Sequence, residues 1–116
     1  MENTNNGIHI TGREGEEFDL QLAASWTKNH REKHPEQPVS HFFGKEILQK
    51  ILAQEGCQGI RFYHAHDENG KKHLIIVGAT SDGKDQINTL QTLIVGQQGL
   101  PCPGSPGCPK NVLSGS

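Results

Sequence analysis

GIRFYHAHDENGKKHLIIVGA, residues 59–79, reads as two strands folded back on a single turn. Residues 59–66 carry Phe62 and Tyr63, and residues 73–79 are rich in Ile and Val, a composition suited to a pleated, half-buried surface. Asn69-Gly70 is the preferred pair for a two-residue type I′ turn, because both central residues must take positive φ. That turn sets Glu68 opposite Lys71 and His66 opposite His73. One face then holds Ile60, Phe62, His64, His66, His73, Ile75 and Val77. The other holds Arg61, Tyr63, Ala65, Leu74 and Ile76, and the first is the expected packing face.

An isolated ribbon of this kind is marginal, so its apolar side needs a cover. Two amphipathic segments precede it. Phe18, Leu22 and Trp26 lie at helical spacing with Leu20, Ala23 and Ala24 beside them, which predicts a helix from Glu16 onward with Trp26 anchoring the core. Glu16, Glu17 and Asp19 fall at its start, and His30, Arg31, Lys33 and His34 near its end, each sign matching the helix dipole. Pro35 and Pro38 end it. For the second helix Ser40 is the expected N-cap, Phe43, Ile47, Leu48, Ile51 and Leu52 form the stripe, and Gly56 is the stop.

Beyond the ribbon, Ser81-Asp82-Gly83-Lys84 marks a turn, and Ile87, Leu90, Leu93 and Ile94 fit a short helix over residues 86–95. Residues 1–15 are polar, with Ile8 and Ile10 alternating, and read as a flexible segment or a short edge strand. From residue 96 to 116 Gly, Pro, Ser and Gln dominate; such a segment buries too little to offset its ordering entropy and is expected as a disordered tail. The expected architecture is α+β. Two N-terminal helices pack on a hairpin or small antiparallel sheet, and a short C-terminal helix completes one domain, residues 16–95, before the tail.

The segment from Phe42 to Gln54, FFGKEILQKILAQ, followed by Gly56-Cys57, Gly59-Ile60-Arg61 and Asp67-Glu68-Asn69-Gly70-Lys71-Lys72, resembles a family of small uncharacterised bacterial proteins. The match runs from about Trp26 through Asp85 and is most specific from Phe42 to Gly78. The resemblance implies a helix–hairpin core and a Pro/Cys-containing tail, with no activity attached. His64, His66 and His73 lie outside its pattern.

Hydrophobic residues make up 32% of the 116, so the core must be compact and local. A net charge of −2 gives no basic field for nucleic acid or anionic lipid. The apolar runs are too short to span a bilayer, and residues 1–7 lack the basic and apolar regions of a secretory signal, so the expected location is the cytoplasm. There, three cysteines are expected as reduced thiols, with Cys57 a small core residue; Cys102 and Cys108 could close a short loop under oxidising conditions.

Three chemical candidates stand out. Gly78 to Lys84 fits the phosphate-loop pattern G-x-x-x-x-G-K, but Asp85 replaces the Ser or Thr that would hold magnesium, and Asp82 puts a carboxylate where phosphate should sit. An ordinary Asp-Gly turn is the better reading. His64, His66 and His73, on one face in the register above, could supply three imidazoles to zinc or another divalent metal. His30, His34 and His41 read as solvated. Cys102 and Cys108 form a thiol pair whose spacing is neither a zinc knuckle nor a redox C-x-x-C. No nucleophile–base constellation emerges, and no cofactor is implied.

The leading expectation is therefore a non-enzymatic interaction module whose exposed sheet edge recruits a protein partner or a second copy. The alternatives are a metal-binding or thiol-redox protein built on the histidines or the tail cysteines, and a carrier whose tail is modified.

Overall fold

The computed structural model describes residues 9–87, 95–96, 100–102 and 107–115. It contains α1 (Leu20–Lys33), β1 (Ser40–Phe42), α2 (Lys45–Leu52), β2 (Cys57–His66), β3 (Lys72–Thr80), β4 (Val95–Gly96) and β5 (Leu100–Cys102). The strands form two antiparallel sheets, one of three strands in the order β2-β3-β4 and one of two that pairs β1 with β5. The class is α+β, and among the described residues no helix is long and apolar enough to cross a membrane.

β3 is central because its residues suit burial on both faces. Ile76 and Val77 point to opposite sides, yet both are buried, as are Gly78 and Ala79. α2 covers one face with Ile51, which is fully buried. The Gln54 side chain just beyond α2 lies over Gly78 of β3, where a Cβ would come within 2.9 Å of Gln54 Nε2 and 3.0 Å of Cys57 Sγ. This close approach explains a glycine inside a central strand. Gln54 Nε2 in turn donates to Gln86 Oε1 at 3.2 Å, fixing the chain that leaves the sheet.

Both helices begin later than the sequence predicts. α1 starts at Leu20 because the Asp19 carboxylate accepts from the Leu22 backbone N–H at 2.8 Å, which leaves Glu16 and Glu17 outside the helix. Ser40 caps nothing. Its backbone is extended and opposite Cys102 in the β1–β5 ladder, so α2 begins after Gly44. Residues 96–116, expected as a mobile tail, therefore contribute a strand, held by this backbone pairing and by the buried Cys102. Residues 107–115 continue as turns against α1, where Arg31 donates to the Leu113 carbonyl at 2.8 Å.

α1 also departs from the expected packing. Its half-buried residues are Ala23, Ala24, Thr27, His30 and Arg31, and none is fully buried. Trp26 is 58% exposed and stacks on Phe18, with ring centroids 4.8 Å apart, instead of entering the core. Small and polar side chains thus turn inward while the aromatic ridge faces out. Of the short helix expected over residues 86–95, Gln86 and Ile87 are not helical and Val95 pairs in β4; residues 88–94 lie outside the described residues.

Candidate functional site

The ribbon turn is where sequence and structure differ most. The Asp67 N–H donates to the Lys71 carbonyl and the Gly70 N–H to the Asp67 carbonyl, both at 2.9 Å, closing a three-residue loop with Gly70 at φ 79°. Asp67 dictates this: its Oδ1 accepts from the Asn69 and Lys71 N–H groups, both at 2.9 Å, in an Asx turn. The register therefore shifts by one residue, with His66 opposite Lys72 and Ala65 opposite His73. A one-residue slip sends a strand's side chains to the other face.

That slip separates the three histidines expected to share a metal. His64 and His66 lie on the face of Ile60, Phe62, Leu74 and Ile76, whereas His73 lies with Ala65, Tyr63 and Ile75. His73 Nε2 instead pairs with Asp67 Oδ2 at 2.9 Å. This ring, with the turn amides, holds the Asp67 carboxyl below its ordinary range. Among the described residues, no group of three or more His, Cys, Asp or Glu side chains is arranged to hold a metal ion.

The phosphate-loop lookalike is a second turn of the same kind. The Thr80 N–H donates to the Lys84 carbonyl, the Gly83 N–H to the Thr80 carbonyl, and Gly83 has φ 85°. The chain then runs back beside β3, with Asp85 bridged to Ala79, where a phosphate loop would enter a helix. Asp85 has another role. Its carboxylate accepts from the Arg61 guanidinium and the Tyr63 hydroxyl, and Arg61 also donates to the Gly83 carbonyl at 3.1 Å. Donation to Asp85 raises the pKa values of both Tyr63 and Arg61. The cation on β2 is thus neutralised within the fold.

The thiol pair is also corrected. Cys102 and Cys108 are joined in a disulfide, with Cys102 buried at the end of β5. The free Cys57 is half-buried and donates its thiol to the Gly59 carbonyl at 3.2 Å.

What remains available on the sheet is the outer edge of β2. Among the described residues β2 pairs only with β3. The Asp67–Lys71 bond sets the phase of the ladder, and the alternation of an antiparallel pair then turns the N–H and C=O groups of Ile60, Phe62, His64 and His66 outward. Their partners across the ladder obey the same phase, since the Gly78 carbonyl points away from β2 and accepts from Gln86 N–H. Phe62 is 55% exposed and Tyr63 45% exposed, on opposite faces of this edge. A groove of about 510 Å³ runs beside it, lined by Ile10, Gly12, Glu14, Ile60 and Phe62 among others. Its far wall is braced by Glu14, whose carboxylate takes the Thr11 N–H at 2.7 Å and the Gly12 N–H at 2.9 Å. The Thr11 amide is the main reason the Glu14 carboxyl falls to about 2.

Two histidines read as solvated are not. His30 and His41 line a second cleft with His64, and His41 Nε2 is buried with no hydrogen-bond partner among the described residues. Burial lowers the pKa of His41, with the charges of His73 and Lys72 acting the same way and the Lys72 backbone opposing. Since the folded state holds the lower value, the unfolded chain takes up this proton first as pH falls. Stability from His41 is therefore intact above its ordinary value of 6.5 and is lost as pH falls through the folded value. Urea midpoints measured from about pH 7.5 to 5 should fall more steeply for the native protein than for His41→Gln. Equal slopes would show that His41 does not carry the effect. No family model, curated protein or solved structure matches the chain in comparison with known proteins.

Proposed function

We propose that this protein is a non-enzymatic recognition module that accepts an extended segment along the free edge of β2, with a second copy as the simplest occupant. The observation that carries the reading is the row of outward backbone groups at Ile60, Phe62, His64 and His66. Strand addition draws its affinity from such groups and its selectivity from alternate side chains. Phe62 and Tyr63 supply exposed aromatic area on either side of the row, the residue type most often found at the energetic centre of interfaces. Arg61 does not oppose a second copy by charge, because Asp85 already neutralises it.

Two copies meeting antiparallel about a two-fold axis would place β2 against β2 and join three strands from each copy into one sheet. Long, flat edges are ordinarily blunted in monomeric proteins, and the β2 edge carries no proline.

Amide exchange measured across a concentration series tests this reading. The N–H groups of residues 60, 62, 64 and 66 should become protected as concentration rises, while residues 61, 63 and 65 remain protected throughout. Phe62→Lys should weaken association by roughly tenfold or more, as loss of a central aromatic contact does. A strict monomer by native mass spectrometry would remove self-association. If residues 60–66 also retained fast alternate exchange in lysate, strand addition as a whole would fall with it.

A further inference from the structure

We propose that the cleft between α1, the segment 38–41 and β3 is a binding site for a small oxyanion, a carboxylate or phosphoryl group held against His41. The cleft measures about 270 Å³. His30 enters from α1, His41 from β1, His64 from β2 and Lys72 from β3, with Thr27 and Leu74 completing the wall. Among the described residues, no Asp or Glu lines it. Three histidines and a lysine from four separate elements thus line one space, with no carboxylate among the described lining residues.

The unpartnered atom gives the site its direction. Among the described residues His41 Nε2 is shut off from solvent and makes no hydrogen bond, with the Lys72 backbone close to the ring, although buried polar atoms in folded proteins nearly always find a partner. The nearby Asp67 carboxylate is committed elsewhere, to His73 and to its own turn, and Glu36 lines the neighbouring cleft with Lys72 rather than this one. His30 Nε2 lies 3.4 Å from the Pro38 carbonyl, a long contact that a charged acceptor could replace. Among the described residues the titratable groups around His41, namely His30 on α1, His64 on β2, and Lys72 and His73 on β3, are all bases. An oxyanion would offset this clustering, and charge-assisted bonds to it would strengthen as His41 gains its proton. A metal ion is a poor fit, since the imidazoles are not grouped as a ligand set.

The test uses the full chain and follows histidine ring resonances by NMR during titration with sodium sulfate, a phosphoryl mimic of constant charge, and separately with sodium acetate. Sodium chloride at matched ionic strength is the control. Saturable shifts at His30, His41 and His64, with His9 and His34 unmoved, are expected for at least one probe. Saturation by sulfate alone identifies a phosphoryl group, by acetate alone a carboxylate, and by both a general oxyanion site. Binding should be roughly threefold or more tighter near pH 5.5 than near pH 7.5, and bound anion should raise the His41 pKa, as linkage requires. His41→Gln should abolish saturation, and Lys72→Gln, at the half-buried start of β3, should weaken it even where the first variant fails to fold. Linear shifts shared with sodium chloride, or unchanged affinity in Lys72→Gln, would overturn the site.

Discussion

Ile76→Ala is expected to lower stability by about 2–5 kcal/mol, the usual cost of emptying a fully buried aliphatic site. Ile76 has no solvent exposure and sits on the central strand between Phe62 of β2 and Gly96 of β4. Its loss removes transfer free energy and leaves a void that α2 and both neighbouring strands border. The buried hydrophobic core of the described residues is short, comprising Ile51, Ile76, Val77, Ala79 and Cys102, so few other contacts can compensate. Against a domain stability on the order of 5–15 kcal/mol, such a change is a large fraction of the whole. Ile75→Ala is the natural control, because Ile75 is the next residue, equal in size and only half-buried on the other face. Urea denaturation should show a clearly larger fall in midpoint for Ile76→Ala than for Ile75→Ala. Equal shifts would mean that the packing centre lies elsewhere.

Cys108→Ser should cost about 2 kcal/mol, estimated from the chain entropy released when a short disulfide loop opens. The bond spans a sequence separation of 6 and anchors Cys102, which ends the β5 ladder opposite Ser40. Cutting at Cys108 keeps the buried Cys102 side chain in place, so the change reads the crosslink rather than a cavity. Dithiothreitol should lower the urea midpoint of the native chain to that of the variant while leaving the variant unchanged. A native chain indifferent to reductant would show that the crosslink contributes nothing beyond the ladder it follows. The expectation of reduced thiols rested on three cysteines in a chain expected in the cytoplasm. It gave no weight to β5, which carries Cys102 against β1 and fixes one end of the crosslink.

How much was legible follows the range of the interactions involved. The two long strands and the stripe of α2 were readable because composition and periodicity are local. The register was not, although its determinant, Asp67, was in plain view. Asp67-Glu-Asn-Gly70-Lys71 and Thr80-Ser-Asp-Gly83-Lys84 fold into the same loop, each opened by a side chain that bonds ahead of itself. Reading Asn69-Gly70 alone put His73 on the wrong face and assembled a metal set that the backbone takes apart. Ser40 failed for a different reason. It has the chemistry of a cap, but a strand made sixty-odd residues later claims its backbone, and no local signal announces that partner. His41 owes its setting to α1, β2 and β3 together, so its burial could not be read from its neighbours in sequence. The apolar ridge of α1 was read correctly as a ridge and wrongly as inward-facing, since periodicity gives a stripe without saying where it points.

The pairing of Ser40–Phe42 with Leu100–Cys102 also bears on how the molecule is born. On the ribosome, both helices and the ribbon emerge before the strand that β1 awaits. Loop closure over that distance is slow compared with forming a helix or a hairpin. The nascent chain must therefore pass through a stage in which the ribbon is made and Ser40–Phe42 still shows an unmatched backbone, the moment at which a chaperone or another nascent copy has most to grip.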